Sequence, residues 1–317
     1  MAEAVTRRDR RPAEAVPWSA VGARSTADPH IQRMTDENDD QRLAADIDAI
    51  AEAAGADLVA VEFHDYETEH AFSHKGDEWF HAASTIKVPV LVGVYAAIDA
   101  GVLRRDSRVH VRNRFLSAAD GRAYRLESAR DAGASLHQQI GKTMRVEDLA
   151  RQMIVTSSNL ATNLLVELIG LQDLTETLAG LGVEGVELRR GVEDERAYQE
   201  DISNRVTARG LVSVLRRIEE GALSEDSSEA MLEILHDQAF RSGIPAGLPD
   251  SARVANKTGE ISTVAHDTGL VYLEDRQPYA LAILTRWDPS ATSGRRDTLA
   301  AISRAVYVHL TGADADA

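Results

Sequence analysis

Cysteine is absent from the 317-residue chain. Disulfides, thiolate zinc sites and cysteine nucleophiles are therefore excluded. Aromatic residues amount to only 5%, so the core must rest on Ala, Val, Leu and Ile. No apolar run reaches the roughly 18 to 20 residues that span a bilayer. Positive charge is in deficit, with a formal net charge of -16. Such a surface repels nucleic acid and anionic membrane, so neither is expected as a partner. The acidic residues are spread along the chain. Adaptation to salt and an ordinary acidic enzyme both fit that spread. Lysine is scarce: Lys75, Lys87, Lys142 and Lys257 are the whole set, and every other basic residue is Arg.

The first stretch, Met1 to about Asp40, is polar and carries Arg7, Arg8, Arg10 and Arg11 but no apolar h-region. It reads as a disordered leader rather than a secretory signal. As written, the chain implies a cytoplasmic protein; a different true start would place it in the periplasm or outside the cell. Residues 41–312 read as one domain, with a helical subregion over about 104–240.

Apolar spacing of three and four predicts helices over Gln41–Ala54, Val146–Val155, Asn159–Ile169, Gln172–Ala179, Thr207–Glu219, Ser227–His236 and Thr298–Leu310. Ser84 to Ala100 reads as a further, strongly apolar helix with Gly101 as its stop. Alternating, Val-rich runs predict strands at Asp57–Phe63, near Ala71–Ser73, at Val264–Leu273 and at Tyr279–Thr285. Arg104–Met144 has little period, and Val183–Ser203 reads as a charged loop. Both ends of the chain supply strands. The expected fold class is therefore α+β, an antiparallel sheet built from both termini with flanking helices and an inserted helical region.

Three short motifs could carry chemistry. In Ser84-Thr85-Ile86-Lys87, a helical spacing of three puts hydroxyl and amine on one face. A serine is a poor nucleophile until a base takes its proton, and a lysine is such a base only if burial or nearby positive charge lowers its pKa. The apolar flanks Ala82-Ala83 and Val88-Pro89-Val90-Leu91 suit that. The bland alternative is a helix cap beside a solvated lysine. Ser157-Ser158-Asn159, followed by Asn163, can aim a hydroxyl and a carboxamide into one cleft, or be an ordinary helix start. Lys257-Thr258-Gly259 combines charge and hydroxyl for a carboxylate with a residue that permits close backbone approach. It could equally be a polar strand entry.

Together the motifs follow the order Ser-x-x-Lys, Ser-x-Asn, Lys-Thr-Gly, and two of the four lysines fall inside them. In this the chain resembles class A serine β-lactamases and their penicillin-binding relatives, over about Gln41 to Leu310. The resemblance implies a β-lactam-hydrolysing enzyme of β-lactamase/transpeptidase-like fold that needs no cofactor and no metal and acts as a monomer. It implies that Ser84 is acylated, Lys87 helps accept its proton, and Ser157 passes a proton to the leaving nitrogen. Asn159 would hold the substrate's side-chain amide, Lys257 and Thr258 its carboxylate, with Gly259 beside them. The backbone N–H groups of Ser84 and Glu260 would form the oxyanion hole. Asn163 matches the family residue that braces the deacylation loop.

The sequence departs from the family there. A Glu-x-x-Leu-Asn pattern is absent from Leu188–Ala197. Glu193 is the residue expected to activate water, Asp194 and Glu195 are rivals, and Ala197 or Tyr198 stands where polar help is expected. Ser158 replaces an Asp in the second motif. The interval between the first two motifs is long, with its surplus in Asn113–Thr143. Arg286 is a candidate for holding the substrate carboxylate. Competing functions are a D-alanyl-D-alanine peptidase, amidase or esterase with the same acylation machinery, or a non-enzymatic β-lactam sensor. His64 and His70 flank an acidic segment and read as a surface loop rather than a metal site. His266 and Asp267 are neighbours on a strand and should face opposite ways, which makes Asp267 structural.

Overall fold

Five strands pair antiparallel into one sheet: β1 (Leu58–Asp65), β2 (Ala71–His74), β3 (Arg253–Ile261), β4 (Val264–Tyr272) and β5 (Tyr279–Arg286), in the order β3-β4-β5-β1-β2. The N-terminal hairpin thus joins the C-terminal meander, β1 pairing with β5 from Leu58↔Arg286 to Asp65↔Tyr279. The expected α+β fold, assembled from both ends of the chain, is what forms. The computed structural model describes residues 29–291 and 293–313. The part of the expected leader up to residue 28 lies outside the described residues. The residues from Asp39 onward form one compact unit, which carries the sheet and everything below.

Strands in the middle of the sheet are buried on both faces, so they read as continuous apolar runs rather than alternating ones. In β5, Ala280, Ala282 and Leu284 face one core, and Tyr279, Leu281 and Ile283 face the other. The second core is closed by α1 (Pro29–Ala54) and by the terminal helix Arg295–Thr311, through Leu43, Ile47, Leu299, Ile302 and Val306. Helix α1 begins at Pro29 rather than at Gln41. A proline suits the first helical position, where its missing N–H would have no partner.

The first core is closed by helices between β2 and β3. These are α2 (Lys87–Asp99), α3 (Val146–Val155), α4 (Asn159–Ile169), α5 (Leu171–Gly180), α7 (Ala208–Glu219) and α8 (Glu225–His236); the short α6 (Glu195–Gln199) adds no residue to that core, and the terminal helix is α9. Helix α2 is apolar on nearly all sides and runs through the interior, every residue from Lys87 to Tyr95 being buried.

Three expectations need correction. Ser84 does not open an α-helix: it sits in a 3-10 turn, Ala83–Ile86, from which α2 continues at Lys87. Lys257-Thr258-Gly259 is not merely the approach to the strand that starts at Val264 but lies within a strand of its own, β3. Val183–Ser203 is not only loop, because Asp194 caps α6 by accepting from the Ala197 N–H. Among the described residues, no helix is long and apolar enough to cross a membrane.

Candidate active site

The nucleophile turn is built by short-range hydrogen bonds. The Thr85 hydroxyl donates to the Ala82 carbonyl at 2.6 Å. The Ala83 N–H donates to His81 Nδ1 at 3.0 Å, and Ala83 takes φ 45°, a left-handed conformation. The Ala82 N–H is held by the Asn204 carbonyl. Strand β3 presses on this turn from the side. A Cβ on Gly259 would stand 2.9 Å from the backbone nitrogens of both Ser84 and Thr85, so only glycine fits. The third motif therefore abuts the first because one residue lacks a side chain.

The second motif enters at the start of α4. Ser158 is its N-cap, accepting from the Ala161 N–H. Ser157, just before, has φ 57°. Asp131, from the long segment between the first two motifs, anchors this corner. Its carboxylate accepts from the N–H groups of Asn159 (2.9 Å), Leu160 (3.0 Å) and Gly133 (3.0 Å) and from the Ser158 hydroxyl (3.2 Å). His137 Nε2 lies 3.0 Å away as a further partner. Burial opposes ionisation of Asp131, yet the backbone donors outweigh it and hold its pKa below the usual value. Ser158 replaces the family's acid within the motif, and Asp131 brings a carboxylate to the same corner from elsewhere.

Lys87 connects the motifs. Its Nζ donates to the Ser157 carbonyl at 2.7 Å, the Ser157 hydroxyl at 3.1 Å and the Asn159 amide oxygen at 2.8 Å. The side chain is fully buried. That burial, then the charge of Lys257, pushes its pKa well below the ordinary lysine value, against the pull of Asp131 and Glu193. Lys257 is also fully buried, and burial brings its pKa down to about 7 in spite of Asp267. Its Nζ donates to the Thr258 carbonyl at 2.8 Å.

Glu193 enters from the loop before α6. The Asn159 amide nitrogen donates to Glu193 Oε1 at 2.5 Å. Burial raises the Glu193 pKa, while the Asn159 hydrogen bond and Arg130 oppose the rise. The rivals have other partners: Asp194 takes the Ser117 hydroxyl and the Ala118 N–H, and Glu195 pairs with Arg130 at 3.0 Å. Asn163 braces the loop. It accepts from the Val192 N–H at 2.7 Å and donates to the Val192 carbonyl at 3.0 Å. Gly191 permits this approach, since a Cβ there would meet the Tyr124 hydroxyl at 2.4 Å and Asn163 Oδ1 at 3.0 Å. The family's polar residue is indeed missing: Ala197 is buried, and Tyr198 lies under the Arg190 guanidinium.

One cleft is lined by Ser84, Ser157, Asn159, Thr258, Gly259 and Glu260, and it continues past Glu193. Lys87 and Lys257 are fully buried and do not themselves line it. The Glu260 carboxylate turns to Arg296 at 3.0 Å. Arg286 is a correction. It ends β5 and does not line the cleft, whereas Arg296 and Arg130 do. His266 and Asp267 face apart as expected. His266 contacts the His81 carbonyl, while Asp267 takes the Asn256 side chain and the Ile244 N–H. Asp131 and Asn204 were missed. Asn204 also accepts from the N–H groups of Arg189 and Arg190, so it links the Glu193 loop to the Ser84 turn.

Comparison with known proteins identifies the family. A beta-lactamase from Sphaerobacter thermophilus is 31% identical with a TM-score of 0.71, over 85% of this chain and 97% of that one. A variant of the class A beta-lactamase of the last common ancestor of Gram-negative bacteria is 25% identical with a TM-score of 0.71, over 84% and 98%. Beta-lactamase CARB-4 of Pseudomonas aeruginosa is 20% identical, over 81% of this chain and 87% of its own. Residues 42–310 match the model described as the beta-lactamase enzyme family. The chain belongs to that beta-lactamase enzyme family.

Proposed function

We propose that the protein is a serine β-lactamase that opens the β-lactam amide through an acyl-enzyme on Ser84. The observation that carries this reading is the fully buried Lys87 amine. It is bonded to Ser157 and Asn159 of the second motif, and its basicity is shifted by burial and by Lys257 of the third. Burial that disfavours the ammonium makes this amine a readier proton acceptor than a solvated lysine.

In acylation, the Ser84 oxygen bonds to the carbonyl carbon as the Lys87 amine accepts its proton. The carbon–nitrogen bond then breaks, and Ser157 hands a proton to the departing nitrogen while drawing one from Lys87 across the 3.1 Å contact. The N–H groups of Ser84 and Glu260 receive the negative oxygen. Lys257 and Thr258 hold the substrate carboxylate, and Asn159 its side-chain amide. In deacylation, Glu193 takes a proton from water, the water oxygen bonds to the ester carbon, and Ser84 leaves with the proton restored. Glu193 is half-buried, and its raised pKa supports a role as base.

A peptidase, amidase or esterase with the same acylation half is the second reading. What favours it is buried Ala197, which offers no second polar group to the deacylating water.

Intact mass after mixing with benzylpenicillin, followed over time, separates the two. Turnover by wild type, no adduct on Ser84→Ala and a persistent adduct on Glu193→Gln are expected. A persistent adduct on wild type selects the peptidase-type reading. No adduct on any variant rejects both.

A further inference from the structure

Outside the cleft, three side chains from distant parts of the sequence converge. They are Asp40 on α1, His70 in the turn before β2, and His309 near the end of α9. His70 Nε2 lies 3.1 Å from Asp40 Oδ2, and His309 Nε2 lies 3.4 Å from Asp40 Oδ1. One ligand atom from each residue falls within 4.8 Å of the others. The Asp40 Oδ1 atom is shut off from solvent and makes no hydrogen bond of good geometry. Phe63 and Phe72 wall the cluster, with the Phe63 ring centroid 5.6 Å from that of His70 and 5.9 Å from that of His309.

We propose that Asp40, His70 and His309 form a binding site for a divalent transition metal of the zinc type. Two imidazoles and one carboxylate are a donor set that suits Zn²⁺ and neighbouring metals and ill suits Mg²⁺ or Ca²⁺, which seek oxygen. Donors about 2.0–2.1 Å from a tetrahedral zinc stand roughly 3.3 Å apart; the two imidazoles lie 3.1 Å and 3.4 Å from different oxygens of Asp40, with one donor from each residue within 4.8 Å of the others, so modest side-chain shifts would complete the set. The fourth position is left for water. His64 and His70 on their own make no pair. His64 is buried in β1, and the partners of His70 come from α1 and α9.

This site is not part of the cleft. His70 adjoins β2, one edge of the sheet, and Lys257 lies on β3, the other edge. Four strand spacings, about 19 Å, separate them. A metal here would clamp both terminal helices to the first hairpin.

The test uses the full chain, stripped with EDTA and dialysed. Titration calorimetry with ZnCl₂ at pH 7.5, with CaCl₂ as control, is run on wild type, Asp40→Asn and the His70→Ala/His309→Ala double variant. Thermal unfolding and penicillin hydrolysis are recorded on the same samples. Expected are one strong Zn²⁺ per chain, a higher unfolding midpoint with Zn²⁺, and affinity at least about tenfold lower in both variants. Unchanged hydrolysis would confirm that the variants are folded. Equal Zn²⁺ binding by wild type and the double variant would place the metal elsewhere on the chain and overturn the proposal. Wild type that binds Zn²⁺ no better than Ca²⁺ would overturn it too, leaving the cluster a hydrogen-bonded side-chain group.

Discussion

At the scale of single residues, the site is governed by two amines denied water. In the role proposed for it, Lys257 must be charged to hold a carboxylate, yet burial brings its pKa down to about 7. The charged fraction therefore falls as pH rises through neutrality. A bound carboxylate favours the ammonium and moves its pKa upward. The expected outcome is an alkaline limb in kcat/KM that begins near pH 7 and reflects KM, while kcat holds to higher pH. Lys257→Arg should remove that limb even if it lowers the rate, because a guanidinium stays charged. Steady-state kinetics from about pH 6 to 9 would check this. A limb that survives in the Arg variant would assign the titration to another group.

At the scale of elements, the loop carrying Glu193 hangs from α4 by Asn163. Glu193 itself sits at φ 58°, a conformation that surrounding contacts must enforce. Asn163→Ala should leave the part-buried Val192 N–H without its partner and its carbonyl with only the Tyr124 hydroxyl at 3.4 Å, at a cost of about 1–3 kcal/mol. It should also slow deacylation more than acylation. Rapid quench with mass detection would show adduct accumulating at an unchanged acylation rate. An equal loss in both steps would mean that the brace also shapes the Ser84 turn. How far the sequence could be read also divides by element. Helix α2 and strands β1, β4 and β5 announce themselves through apolar content. Strand β3 does not, because Asn256 and Lys257 occupy fully buried positions that would otherwise be apolar. Buried polar partners, such as the Asn256–Asp267 pair, break the apolar pattern there. Asp131 lies in a stretch without period, and its partners sit beyond a long interval, so no local signal marks it. The metal-type cluster was hidden for the same reason, since Asp40 and His309 lie at opposite ends of the chain.

At the scale of the whole molecule, the net charge of -16 opposes compaction. Screening relieves that repulsion. Raising NaCl from about 0.01 M to about 1 M shortens the reach of charge roughly tenfold. The unfolding midpoint should therefore rise over that range, measured without divalent metal present. A fall would mean that surface pairs such as Arg209–Asp77 and Arg205–Glu187 outweigh the general repulsion.

The Asn159 amide lies between Lys87 and Glu193, accepting from one and donating to the other. A carboxamide passes an electric field but carries no ionisable proton. The two bases can therefore sense each other's charge while each keeps its own proton, as two circuits share a transformer core without sharing a wire. In the proposed mechanism, acylation and deacylation would draw on different proton stores for that reason. An acid at position 159, able both to take and to give a proton, would join the stores and short the two half-reactions together.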